Sequence, residues 1–139
     1  MKEALGEHLA QGVQRVAFGD IFLEDLRVYR EKNLAQLGMA ALFPIWKRDT
    51  RVLAREFLRL GFRAIAVCVD PRVLDPSFAG RMLDESFFTD LPPGVDPCGE
   101  NGEFHSFVSA GPMLKGKIGV TVGETVERDG FAYADLLPG

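Results

Sequence analysis

Apolar positions recur at helical spacing three times in the first sixty residues. Leu5 and Leu9 lie one turn apart, which predicts a helix over about 2–11 closed by Gly12. Leu26, Tyr29, Leu34 and Leu37 share a stripe within about 22–37, and charged residues fill the rest of that surface. Leu53, Phe57 and Leu60 give a third helix, capped by Asp49 or Thr50 and ended by Gly61. Short apolar runs at 15–19, 40–43 and 62–69 read as strands, and the last is apolar almost throughout, as in a strand covered on both faces. Helices between such strands predict one parallel sheet reaching Val69. Beyond Asp70, Pro71, Pro76, Pro92, Pro93 and Pro97 break the chain into loops around a short helix at about 81–91. A strand at 104–108 follows, then a hairpin over 117–136 turning at Asp129-Gly130.

Composition narrows the function classes. The 139 residues are 47% hydrophobic, enough for a packed core. Sixteen basic against twenty acidic side chains give a net charge of −4, which argues against a general nucleic-acid binder. Two cysteines in unlike surroundings point to a reducing, cytoplasmic compartment rather than a disulfide framework. No apolar run reaches a membrane span, and Lys2, Glu3, Glu7 and His8 interrupt any signal-like stretch.

Two loops carry candidate chemistry. Phe18-Gly19-Asp20-Ile21 joins the end of a strand to the start of a helix, where α/β sheets bind ligands. Asp20 there is a helix cap, a ribose partner or a Mg²⁺ ligand. The second loop, Asp96 to Ser106, gathers Asp96, Glu100 and Glu103 with Cys98, Asn101, His105 and Ser106, spaced by Gly99 and Gly102. If Phe104 is buried in a strand, Glu103 and His105 point together to the other face. They would serve proton transfer, amine binding or a metal there, although Cys98, Glu103 and His105 lack a standard zinc spacing. Cys98 is also a candidate nucleophile, whereas Cys68, between Val67 and Val69, reads as inert core.

Val95-Asp-Pro-Cys-Gly-Glu-Asn-Gly-Glu-Phe-His-Ser-Phe-Val108 with Gly111-Pro112 resembles the signature of the diphthine–ammonia ligase family. Ala17-Phe-Gly-Asp-Ile21, Leu42-Phe-Pro-Ile-Trp46, Val69-Asp-Pro-Arg72 and Leu74-Asp-Pro-Ser-Phe-Ala-Gly80 resemble it in the same order. The resemblance implies an ATP-dependent amide-forming enzyme of the N-type ATP pyrophosphatase superfamily. In it ATP and Mg²⁺ activate a carboxylate as an acyl-adenylate, and ammonia displaces AMP. It implies an α/β fold: a partial Rossmann-like (HUP-type) parallel sheet over 1–45, then a mixed α+β substrate domain over 46–139 ending in a β-hairpin.

Carried onto matching positions, the resemblance implies catalytic roles for Glu100, Glu103 and His105. Either glutamate would hold a substrate cation, while His105 would orient a carboxylate or help move a proton from ammonia. Gly99, Asn101, Gly102 and Ser106 would line the substrate pocket with Arg48, and Gly19 and Asp20 would border the nucleotide. Ser106 stands where relatives often carry threonine and keeps the hydroxyl. The family's Ser-Gly-Gly-Lys-Asp-Ser pyrophosphate loop is not among these residues, so the sequence reads as the C-terminal portion of a family member. ATP binding by this chain alone is therefore not expected. An unpaired edge at Val16, Ala17 and Phe18 would be covered by a second copy, an N-terminal complement or a rearranged local helix. The expected substrate is a small molecule or a modified side chain. The rival readings are a non-catalytic binding module for such a ligand and an interaction half that works only with its complement.

Overall fold

The computed structural model describes residues 2–139, and Lys2 by its backbone alone. It divides into two compact units, one ending at Arg48 and one spanning Asp49–Gly139.

The first unit holds α1 (Lys2–Ala10), β1 (Arg15–Ala17), α2 (Glu24–Ala35) and β2 (Ala40–Leu42). β1 and β2 pair in parallel, Val16 opposite Ala41, with α2 as the crossover that parallel neighbours require. Leu34 of α2, Met39 and Ile21 are its buried apolar side chains. Arg27 stacks over Phe43 and Trp46, and Arg30 over Phe18, so the aromatic side chains after both strands lie beneath cations of α2.

The second unit holds α3 (Thr50–Arg59), β3 (Arg63–Val69), a 3₁₀ turn (Pro76–Phe78), α4 (Glu85–Asp90), β4 (Phe104–Ala110), β5 (Val120–Arg128) and β6 (Phe131–Pro138). Asp49 caps α3, its carboxylate accepting from the backbone N–H groups of Arg51 and Val52. The predicted helix at 81–91 is shorter, because Asp84 caps it at Phe87 N–H and Met82 bridges to Ile65 in extended form.

One expectation is overturned here. β3 does not join β1 and β2 in a parallel sheet. It lies second in a four-stranded sheet of order β4-β3-β6-β5, antiparallel to β4 and β6. Its apolar run reflects burial of Ala64, Ile65, Ala66, Cys68 and Val69, while β4 and β6 pair with its backbone edges.

The core lies against one face of this sheet. Ala64, Ala66, Val69, Phe104 and Ala132 meet Leu74, Phe78, Leu83 and Phe87 there. Phe87 is fully buried and makes edge-on contacts with Phe78, Phe88 and Phe104 at 5.3–5.5 Å between ring centroids. The hairpin turns at Asp129 and Gly130, both at positive φ as a two-residue turn of this kind requires. No helix among the described residues is long and apolar enough to cross a membrane.

Candidate functional site

The loop before β4 is built around two carboxylates. Asp96 Oδ2 accepts from the N–H groups of Cys98 (3.1 Å) and Glu100 (3.0 Å). Glu103 Oε1 accepts from Asp96 N–H (3.0 Å) and Asn101 Nδ2 (3.1 Å), while Oε2 accepts from Asn101 N–H (3.0 Å). These bonds satisfy donors that the tight turns leave without backbone partners. Gly99 is required: its φ is +64°, and a Cβ would lie 2.7 Å from the Phe104 carbonyl oxygen. Gly102 also has positive φ, so the chain has not yet settled into strand alternation when it reaches Glu103.

That geometry separates two residues expected to share a face. Glu103 is 5% exposed and its carboxylate is enclosed by loop donors. His105 is exposed and lines a groove formed by β3, β4, β5 and β6. Asn101 and Ser106 are exposed and Glu100 is half-buried. Cys98 is half-buried, its Sγ donating to the Thr50 carbonyl at 3.4 Å. Burial, followed by the charges of Asp96, Glu100 and Asp49, pushes its pKa up to about 12. Both effects disfavour the thiolate that a nucleophilic Cys98 would need near neutral pH. Among the described residues no group of three His, Cys, Asp or Glu side chains could hold a metal ion.

Asp70, just after β3, anchors the other side of the loop. Its N–H donates to the Glu103 carbonyl at 2.9 Å. Its buried carboxylate takes a two-pronged contact from Arg72, Nε to Oδ1 at 2.8 Å and Nη2 to Oδ2 at 2.7 Å. The Arg72 side-chain bonds, then its backbone N–H, hold Asp70 below the usual carboxylate pKa.

The groove has a volume of about 550 Å³. Its walls include Cys68, His105, Phe107, Arg128, Phe131 and Tyr133. The composition of the hairpin hides these residues from sequence reading. The signal that exposes them is the outward alternation of Phe131, Tyr133 and Asp135, which faces away from buried Ala132 and Ala134. Cys68 is 8% exposed, as a core residue would be, yet it also lines the groove.

In the first unit, Asp20 is not the cap of α2. Leu23 precedes that helix and makes no side-chain cap bond. The Asp20 carboxylate instead receives Arg30 Nε at 3.1 Å. Gly19 has open space where a Cβ would be, so no cradle closes around it. Asp20 engaged with Arg30 and an open Gly19 do not make the glycine-rich amide cradle that holds a nucleotide's phosphates. Arg48 closes this unit, its N–H bonded to the Ile45 carbonyl.

The family model for the diphthamide synthase C-terminal domain matches residues 49–135, nearly all of the second unit. The chain belongs to the diphthamide synthase C-terminal domain family. Within 129 aligned residues it is 32% identical to the diphthine–ammonia ligase of Bos taurus and 33% identical to that of Danio rerio. Each alignment covers 89% of this chain, and 48% and 51% of the two relatives. The diphthine–ammonia ligase of Schizosaccharomyces pombe is 28% identical over 132 residues, covering 22% of its length. The chain thus spans about half the length of the two vertebrate relatives. The Glu103-centred loop lies inside the span matched by this family, as does the lining of the groove beside it except Leu136.

Proposed function

We propose that this chain is the acceptor-side part of an ATP-dependent, amide-forming ligase of the cytoplasm, and that it does not complete the ATP chemistry alone. The observation that carries the reading is that the family match falls on one compact unit, which contains an ordered, carboxylate-built loop beside a groove. Roles divide by position within that unit. Glu103, with Gly99 and Gly102, fixes the loop. Glu100, Asn101 and Ser106 meet the acceptor, and His105 orients its carboxylate or takes a proton from the attacking ammonia. Gly19 and Asp20 border the nucleotide only once a pyrophosphate loop is supplied. Val16, at the β1 edge that pairs with no strand among the described residues, is covered by that complement or by a second copy.

The test joins the pyrophosphate-loop half of a diphthine–ammonia ligase to this sequence in one chain and measures AMP formation that depends on ammonia and an acid. The expected result is AMP from the joined protein and none from the 139-residue chain, with at least about a tenfold loss on His105→Ala, since a positioned acid–base group contributes about 10²–10⁴-fold. A joined protein that binds ATP yet forms no AMP would instead support a non-catalytic binding module.

A further inference from the structure

Three groups of the groove form a row across its strands. Cys68 is the register partner of His105 on one side and of Tyr133 on the other. Side chains so paired have Cβ atoms about 4.5–5.5 Å apart. A register shift between Ala66 and Cys68 creates the row: Ala66 pairs with Ser106 and Cys68 with His105, leaving Val67 as the extra residue. Such a bulge re-aims side chains, and here both Val67 and Cys68 line the groove. Tyr133 lines the groove beside its register partner Cys68.

The rest of the lining has a direction. Phe107, Phe131 and Tyr133 supply aromatic surface. The guanidinium carbon of Arg128 lies 5.6 Å from the centroid of the Tyr133 ring. A guanidinium stacked on a ring keeps its N–H edge for an anion and suits the two oxygens of a carboxylate. The carboxylate in the lining, Asp135, lies two residues past Tyr133 on β6, about 7 Å along the strand and away from Arg128, which ends β5 opposite Phe131. Asp129 is in the turn, outside the lining. The groove is open to solvent, and its volume of about 550 Å³ has room for a small ligand, whose sites run from about 300 to 1,000 Å³.

We propose that this groove binds a small aromatic carboxylate, its ring against Phe107, Phe131 and Tyr133 and its carboxylate on the Arg128 guanidinium. This deepens the ligase reading by naming the class of acid brought beside His105. It rests on that reading for the fate of the acid, not for its binding.

The test titrates 3-phenylpropionate into the 139-residue chain and follows backbone amide shifts by NMR, with 3-phenylpropanol and 3-phenylpropylamine in parallel. Saturable shifts are expected at His105–Phe107 and Phe131–Asp135. The carboxylate should bind at least about tenfold tighter than the alcohol, the span of a charged hydrogen bond. Arg128→Gln should remove that advantage and leave alcohol binding unchanged, which also reports that the variant is folded. Absence of saturable shifts in the groove, preference for the amine, or an unchanged carboxylate affinity in Arg128→Gln would each overturn the proposal. If 3-phenylpropionate gives no saturable shifts in the groove while the joined protein forms AMP, this inference falls and the ligase reading stands. If 3-phenylpropionate binds in the groove but the joined protein forms no AMP, the reverse holds.

Discussion

Glu103 shows how one carboxylate can fix a loop. Three donors from Asp96 and Asn101 converge on it, in a setting only 5% exposed. Glu103→Gln turns one of its oxygens into a donor facing other donors. A cost of about 2 kcal/mol is expected, the range of hydrogen bonds to a charged group, read as a lower urea midpoint with an unchanged slope. A midpoint equal to that of the parent would mean that the enclosed carboxylate does not hold the loop. The density of functional groups at 96–106 was legible from residue identities alone. The inward turn of Glu103 was not, because it depends on the loop donors of Asp96 and Asn101 and on Gly102 at φ +82°, which residue identities do not reveal. Cys98 offers a second test at this scale. Its ionisation is suppressed to about 12, so iodoacetamide at pH 8 should leave it unmodified in the folded chain and label it once urea unfolds the protein. Its raised folded pKa also favours the folded state fully below the unfolded thiol value of about 8.5, and that contribution fades as pH rises towards about 12. Rapid labelling of the native chain at Cys98 would contradict both statements.

Among the elements, β3 was legible as a buried strand; periodicity alone suggested a parallel one, whereas the family resemblance already assigned it to the mixed α+β part over 46–139. An apolar run reports burial on both faces and says nothing of neighbour direction, which here is set by the long return through β4 and the β5–β6 hairpin. α3 and the hairpin were legible because their signals are local: the Asp49 cap, the Leu53/Phe57/Leu60 stripe and the Asp129-Gly130 turn. The β3 bulge was not, since nothing in Ala66-Val-Cys68 marks an extra residue. Three carboxylates between β3 and α4 contribute to the acid-side pH dependence of this unit. Asp70 is held below its ordinary pKa by Arg72, Asp75 by Ser77, and Asp84 by the Phe87 N–H and Ser86. Depressed carboxyl values contribute stability that is fully present above the unfolded value of about 3.9 and lost as pH falls through the lower folded values. Asp70→Asn should therefore flatten the acid limb of a stability–pH curve below about pH 4 while lowering stability at pH 7. An acid limb as steep as that of the parent would show that the Asp70–Arg72 pair does not contribute.

For the molecule as a whole, the two units differ in what holds them. The second has a continuous core from Ala64 to Ala132 under a four-stranded sheet. The first rests on two three-residue strands and a single crossover helix, α2, less than an isolated sheet needs for stability of its own. Amide exchange should accordingly be slowest at Ala64–Ala66, Val69 and Ala132, and faster at Val16 and Ala41. Equal protection in both units would refute that ranking. The same division underlies the functional reading: an ordered acceptor-side unit, and a nucleotide side without a phosphate cradle among its described residues. Calorimetric titration of Mg-ATP into the folded 139-residue chain tests this most directly. No binding heat is expected, with slow exchange at Ala64–Ala66 in the same sample showing that the chain is folded. Saturable, tight binding of Mg-ATP by the chain alone would contradict the division and place a complete nucleotide site within these residues.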